Sequence, residues 1–515
     1  VTTAVVLFTR DLRVNDQPAL AAACRRADRV VPLFVLDERI LGSRYAAPNR
    51  VAHLLEALHD LRANLRRLGG DLIVRRGDLT ERVGDLCLEV GADELHLAAD
   101  VSTYAHGREA ALRRLTRHLA VTLHVHPGST LVPPGELTPA GSDHFLVFTP
   151  YWRRWVEHPH RVPEPPPSRV PTPDTLSALS AGTLPPRDEL VDGEVAPDRG
   201  QGGETAARAR ADDWFARGIS AYEHDRDRMD VDGSSRLSAH LHFGTLSVAE
   251  LAARIDRRRR GHDAFLRQLC WRDFNHQLLA ARPELLSRDL RSQGDAWRDA
   301  TTDAQAVELW KAGRTGYPIV DAGMRQLLRE GYVHNRARML VASFLTKHLR
   351  VDWRVGAWHF MDHLEDGDLA NNFAGWQWAA GTGTDSRPNR LFNPVAQARR
   401  YDPDGTYVRR YVPELRDPRG KRTARCWPST TRHRSSITGR PGRGSSTSGV
   451  GDLGVRSVGA QVRFRRRASG RHDGTSRWLV GSVGCGCDGS PSQPHPTPGD
   501  PRQAGWAREA RTRPG

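Results

Sequence analysis

Five short apolar runs separated by amphipathic stretches constrain this chain more than any other feature. AVVLF (4–8), VVPLFVLD (30–37), DLIVR (71–75), ELHLAAD (94–100) and VTLHVH (121–126) read as buried strands, while Asn49 to Leu68 and Gly107 to Leu119 carry helical periodicity. The rhythm predicts a Rossmann-like α/β domain over residues 1–130, a parallel sheet with helices on its faces. A doubly wound domain without a defined ligand fits the same pattern, so these runs specify a fold and not a function.

At 515 residues the chain is too long for one ordinary domain. From Pro163 to about Gly203 the composition shifts to Pro, Gly, Ser and acidic residues, as in PEPPPSRVPTPDT, and residues 131–203 read as an interdomain connector. The pattern over 204–417 is nearly all helical, with tryptophans spaced through it, which predicts a second, all-α domain. After Asp417 the chain turns rich in Arg, Gly, Ser, Thr and Pro with little apolar periodicity, so 418–515 reads as a basic, disordered tail.

The net charge of +15 is unevenly spread. The stretch from Arg419 onward holds 19 basic against 5 acidic residues, leaving 57 against 56 in the first 418. A nucleic-acid site in the body must therefore be a local patch, because its overall charge supplies almost no long-range attraction to phosphate. The six cysteines (Cys24, Cys87, Cys270, Cys426, Cys485 and Cys487) suggest neither a disulfide framework nor a metal site. The first residues run straight into a strand-like stretch without a basic leader, and no apolar run is long enough to span a bilayer. A soluble, cytoplasmic protein is the expectation.

Chemistry concentrates in the helical region. In SSRLSAHLHFGTLS (234–247), hydroxyls and backbone donors stand beside an arginine, which suits the paired phosphates of a dinucleotide or, more commonly, an ordinary helix N-cap. Asp366 and Asp368, ahead of Asn371, Asn372 and Trp376, suit acid/base hydrolysis, a divalent metal, or capping of a helix start. Most of the thirteen tryptophans are expected to serve packing.

Those two stretches, the second running as DGDLANNFAGWQWAAGTGTDSRPNRLFNP (366–394), are joined by FLRQLCWRDF (265–274), GRTGYPIVDAGMRQL (313–327), GYVHNRARM (331–339) and RDLRVNDQPAL (10–20). Together they span Arg10 to about Asp417, and taken in chain order they resemble the photolyase/cryptochrome family, and within it the bacterial class I cyclobutane pyrimidine dimer photolyases. The resemblance implies that 204–417 binds FAD, reduced in the active state. Tyr222, Ser234, Ser235, Arg236, Leu237, Ser238 and Arg272 would line the cofactor, with Arg272 offsetting phosphate charge. Asp366 and Asp368 would approach the polar ring edge and the ribose, and Asn372 the reactive flavin nitrogen. Plant cryptochromes carry an aspartate at that position, so Asn372 favours repair over signalling. Trp376 and Trp353 match the inner members of an electron-hopping chain that rereduces the flavin under light, and Trp297 is the expected outer member.

The same resemblance places the lesion. Trp271 and Tyr332 match positions that pack a flipped dimer against aromatic faces, since stacking replaces what a damaged base step loses on leaving the duplex, a route for which photolyases are a standing example. Asn335, Arg336 and Met339 would stand beside it, with Gln268 and Asn335 reaching both cofactor and lesion. The (6-4) photolyases carry a histidine where this chain has Asn335, which favours the cyclobutane dimer. Gln268 stands where the best-known dimer photolyases have a glutamate; an amide still hydrogen-bonds the lesion but carries no charge. Arg226, Arg336 and Arg390 are the expected phosphate contacts.

An antenna chromophore is expected in the N-terminal domain. TYAHGRE (103–109) lacks the Asn-Glu pair of folate-binding relatives, which favours a deazaflavin over methenyltetrahydrofolate. The implied activity is light-driven splitting of pyrimidine dimers in double- or single-stranded DNA by a monomer. The rivals are a cryptochrome-like photoreceptor and an inactive product. The last arises because Ser429 to Arg443 (STTRHRSSITGRPGR), back-translated and shifted by one base, spells D-Y-P-A-P-V-V-D-H-R-E-A-R, which resembles the closing stretch of photolyases and points to a frameshift.

Overall fold

The structure, a computed structural model, describes residues 1–172, 181–292, 297, 303–388 and 390–416. All of them fall within one compact unit, Val1–Ser445. The stretch from 418 onward, and with it the frame-change reading, lies outside the described residues.

Five parallel strands, β1 (Thr3–Phe8), β2 (Arg29–Asp37), β3 (Ile73–Gly77), β4 (Glu94–Ala98) and β5 (Thr122–His126), form one sheet in the order β3-β2-β1-β4-β5. Its central strands β1 and β2 are continuous apolar runs because both faces are covered: Ala4, Val6 and Phe8 enter one core with the Pro18–Arg26 and Pro48–Arg67 helices, and Val5 and Leu7 enter another with the Leu79–Val90 helix. Pro32 is tolerated inside β2 because it faces the side on which Val30 donates to the Pro171 carbonyl (2.6 Å), before the ladder to β3 opens at Leu33 and Ile73. The strand order reverses between β1 and β4. Their carboxyl ends therefore frame the crevice where sheets of this kind meet a ligand or partner surface.

The connector expectation is corrected in its first part. FTPYWRRWVE forms a helix, Phe148–Glu157, whose Tyr151, Trp152 and Trp155 are buried in the core of the helical domain. The Asp273 carboxylate accepts from Trp155 Nε1 (3.0 Å) and from the Leu131 and Val132 amides (2.9 and 3.0 Å), so 131–157 is built into that domain. Four aromatic residues within eight positions bury more apolar surface than a linker exposes. The proline-rich remainder matches its composition: its described part holds one short turn of 3-10 helix, Arg187–Glu189.

The helical domain gathers around Arg260–Ala281, Pro318–Glu330, Asn335–Ser343, Trp353–His363 and Leu369–Ala380. Left-handed Gly331 (φ 60°) ends the second of these, and the chain re-enters helix three residues later with His334 as N-cap, its Nδ1 accepting from the Arg336 amide at 3.2 Å. Burial, with nearby Arg336 and Arg236, outweighs the pull of Asp227 and Asp232 and brings that imidazole down to about 4, so it caps in the neutral form. No helix among the described residues is long and apolar enough to cross a membrane.

Candidate functional site

Asp368 anchors the site. It N-caps the Leu369–Ala380 helix by accepting from the Asn371 amide (2.9 Å), and its other oxygen accepts from Arg10 Nη2 (2.7 Å), with His276 Nε2 at 3.4 Å and His242 Nδ1 at 3.6 Å. Burial alone would raise this carboxyl; His276, His242 and Arg10 outweigh it and hold it well below the usual carboxylate range. Burial and the neighbouring Arg10 bring His242 down to about 4. Arg10 also bonds Asp100 (3.3 Å) and the His242 carbonyl (3.0 Å). Arg10 follows β1 and Asp100 follows β4, so the sheet's switch point is where the α/β domain grips the helical one.

Asp366 lies on the other side of this turn, with Oδ2 accepting from Arg338 Nη2 at 2.8 Å. Arg338 in turn lies 5.8 Å from the Tyr332 ring, Arg236 lies 4.7 Å from it, and the Tyr332 hydroxyl pairs with Ser234 Oγ at 2.8 Å. Arg236 holds a left-handed backbone (φ 55°) between the Asp232 and Glu330 carboxylates, each at 2.8 Å. Arg210 fastens the turn from behind by donating to the Ser235 and Ser234 carbonyls (2.9 and 3.4 Å). Leu237 is buried and Ser238 begins the short Ser238–Phe243 helix. The serine turn expected at a dinucleotide thus abuts the Asp366 edge. The half-buried Tyr332 ring thus lies beside the serine turn, flanked by Arg236 and Arg338.

Asn372 and Trp376, one helical turn apart, share a buried face of Leu369–Ala380. Asn372 Nδ2 donates to the Ala357 carbonyl at 3.0 Å. The Trp376 indole presses on Gly356 so closely that a Cβ there would stand 2.1 Å from its ring. Trp353, three residues before Gly356, opens the same helix and donates from Nε1 to Asp289 (2.8 Å). Trp297 packs half-buried against the same apolar cluster. Trp353 and Trp376 are thus members of one apolar cluster, and Trp297 packs against it.

Arg260–Ala281 presents Gln268, Arg272 and Asn275 along one stripe, and Asn275 Nδ2 donates to Asn371 Oδ1 at 3.0 Å. Arg272 is buried, donating to the Ser129 and Leu241 carbonyls (2.5 and 3.1 Å); burial lowers its pKa against the opposing pull of Asp368. Trp271 is half-buried and stacks on Phe148 with centroids 3.8 Å apart and planes at 4°. Tyr222 meets Trp214 edge-on at 5.3 Å. Asn335 is exposed, its Nδ2 4.0 Å from Met339 Sδ one turn on.

Arg336 is a correction. It turns inward, 2% exposed, pairs with Asp227 at 2.6 Å and lies 4.3 Å from the Tyr401 ring. One position round the helix from Asn335 is a rotation of about 100°, which carries Arg336 from the open face to the core. It is no surface phosphate contact. Arg390 lies 5.1 Å from the Trp378 ring and 3.6 Å from Asp385, and Arg226 is half-buried.

These residues fit a bound FAD. Asp366 Oδ1 is buried and accepts no hydrogen bond among the described residues, so a ligand donor would satisfy it. A serine-rich turn with Arg236 lies within reach of the same edge. Arg10, His242 and Arg338 had no role assigned to them from the sequence, although their position inside the motif stretches was a signal for one. His276 and Arg210 carried none, because their partners are remote in sequence.

The fold and site define a two-domain flavoprotein, a parallel α/β domain clasped to a helical FAD-binding domain. Residues 4–171 match the DNA photolyase family model and residues 265–443 the FAD binding domain of DNA photolyase. A deoxyribodipyrimidine photo-lyase of Streptomyces griseus is 49% identical over 82% of this chain and 92% of its own length. The bacterial class III photolyase of Agrobacterium tumefaciens superposes with a TM-score of 0.73 at 33% identity, covering 81% of this chain and 87% of that one. A Synechocystis cryptochrome reaches 0.74 at 29% identity, over 82% and 91%. The chain belongs to the DNA photolyase family.

Proposed function

We infer that this chain is a light-dependent DNA repair lyase that opens cyclobutane pyrimidine dimers. The observation that carries the reading is the Leu369–Ala380 helix, which holds Asn372 and Trp376 on one buried face directly after the paired, buried Asp366 and Asp368. Reduced FAD, when bound and excited by light, supplies the electron that splits the ring and takes it back. The chain's own part is positional: Asp366 and Asp368 would accept donors at the flavin's polar edge, Asn372 would stand toward its reactive nitrogen, and the Ser234–Ser238 turn with Arg236 would receive the phosphates. Trp376 and Trp353 relay an electron inward from the surface side, where Trp297 lies. Trp271, braced by Phe148, stacks on the extruded dimer, with Gln268, Asn335 and Met339 around it, while Arg226 and Arg390 meet the backbone.

A deazaflavin antenna is proposed for the N-terminal domain, on the TYAHGRE sequence, and a cytoplasmic monomer is the expected form. The test is direct. The purified chain, reconstituted with FAD and reduced, should remove thymine dimers from irradiated oligonucleotides under blue light and not in darkness. A flavin-loaded chain that leaves dimers intact under light overturns the reading.

A further inference from the structure

Parallel pairing of β4 and β5 sets His96 opposite His124 and Ala98 opposite His126. Side chains two apart on a strand share a face, so Glu94, His96, His124 and His126 project together, away from Leu95 and Leu97, which enter the other core. Glu94 and His96 are nearly buried, with side-chain exposures of 12% and 0%, and His124 is 25% exposed. Their packing is close: the His96 ring stacks on His124 at 4.6 Å and on His126 at 5.1 Å. Nothing in flavin binding or DNA repair uses this group.

We propose that Glu94, His96 and His124 form a binding site for a divalent transition-metal ion of the zinc class. One ligand atom from each lies within 4.8 Å of the others. Glu94 Oε2 is 2.9 Å from His96 Nε2, and Glu94 Oε1 is 3.5 Å from His124 Nε2. Donors bonded at about 2.1 Å to a tetrahedral zinc stand roughly 3.4 Å apart, so the observed separations bracket the requirement. Among the described residues, buried His124 Nε2 has no hydrogen-bond partner, which suits a ligand atom. His126 supplies the outer support. Its Nε2 lies 2.9 Å from His96 Nδ1, so His96 can donate its proton there and turn the Nε2 lone pair to the metal. Arg26, half-exposed, donates to both Glu94 oxygens (2.9 to 3.3 Å) and keeps that carboxylate ionised. The mixed imidazole and carboxylate set selects zinc and its neighbours over magnesium or calcium, and a fourth position is left for water. The ion would pin the terminal strand β5 to β4.

The test uses the untagged full-length chain, stripped of metal with chelator and titrated with zinc chloride by calorimetry and with cobalt(II) by visible absorption. The expected result is one equivalent bound, a four-coordinate cobalt spectrum and a raised melting temperature. His124→Gln and Glu94→Gln should each weaken binding at least tenfold while the flavin spectrum stays unchanged, and His158→Gln should bind as the parent does. Zinc uptake no greater in the parent than in His124→Gln, or a six-coordinate cobalt spectrum, overturns the proposal and leaves the cluster a hydrogen-bonded histidine stack.

Discussion

Arg10 Nη2 donates to Asp368 Oδ2 at 2.7 Å, joining a residue just beyond the first strand to the residue that caps the helix carrying Asn372 and Trp376. Asp100 and the His242 carbonyl complete the arginine's shell. Removing one partner from such a pair leaves the other buried and uncompensated, at a cost of about 3 kcal/mol. Arg10→Ala is expected to lower the denaturant midpoint and speed release of FAD, both measurable by flavin fluorescence during urea unfolding. Unchanged FAD retention would show that the flavin edge is organised without the α/β domain.

Acid should loosen the helical domain. Burial is the leading cause that brings His240 and His359 down to about 3 and His242 and His334 down to about 4. The unfolded chain binds protons on these groups from about pH 6.5, before the folded one does. Stability is then complete above that pH and falls as pH drops toward 4, each histidine contributing up to about a tenfold loss in the folding equilibrium per pH unit. His334→Asn keeps a capping acceptor for the Arg336 amide while removing one titrating group. Its urea midpoint should decline less steeply between pH 6.5 and 4.5 than that of the parent.

Gly356 sets the seat of Trp376. A methyl group there would meet the indole at 2.1 Å and Leu345 at 2.7 Å. Gly356→Ala should therefore destabilise the domain by about 1–3 kcal/mol through overpacking and displace the ring. Light-driven flavin reduction should slow several-fold, and Trp376→Phe should slow it more. Dimer repair by chemically prereduced protein should survive in Trp376→Phe, which separates the relay from the repair step.

Trp271 lies flat on Phe148, so one of its faces is already taken. Stacking of a base on an aromatic ring contributes about 1–3 kcal/mol, and Trp271→Ala should weaken binding of dimer-containing DNA by roughly 10- to 100-fold. Phe148→Ala should give a smaller loss by letting the indole tilt. Filter binding with damaged and undamaged oligonucleotides tests both, and equal affinity of Trp271→Ala and parent for damaged DNA contradicts the lesion pocket.

Arg226 and Arg336 should separate in a salt titration. A residue that neutralises a phosphate adds about one unit to the slope of log K against log salt. Arg226→Ala is expected to reduce that slope by about one. Arg336→Ala should leave it unchanged and destabilise the fold, since its guanidinium is spent on Asp227 and Tyr401 inside the core.

The amino-acid sequence by itself determined the parallel sheet, because strands covered on both faces must be continuous apolar runs, and the two most informative runs, AVVLF and VVPLFVLD, fall within the observed β1 and β2 to a residue or two. For Asp366 and Asp368 it left capping of a helix start as one of several readings, and the structure makes Asp368 the cap, accepting from the Asn371 amide. Tertiary structure alone decided what each motif residue faces. Asn335 and Arg336 are neighbours in sequence, yet one is open to solvent and the other is core, because their directions depend on which side of the helix meets Asp227 and Tyr401. The pairing of Arg10 with Asp368 across 358 residues, and the gathering of three histidines around Glu94 by strand register, belong to the same category. Periodicity records which face of an element is buried, but the partner on that face is chosen by packing between segments that the sequence lists far apart.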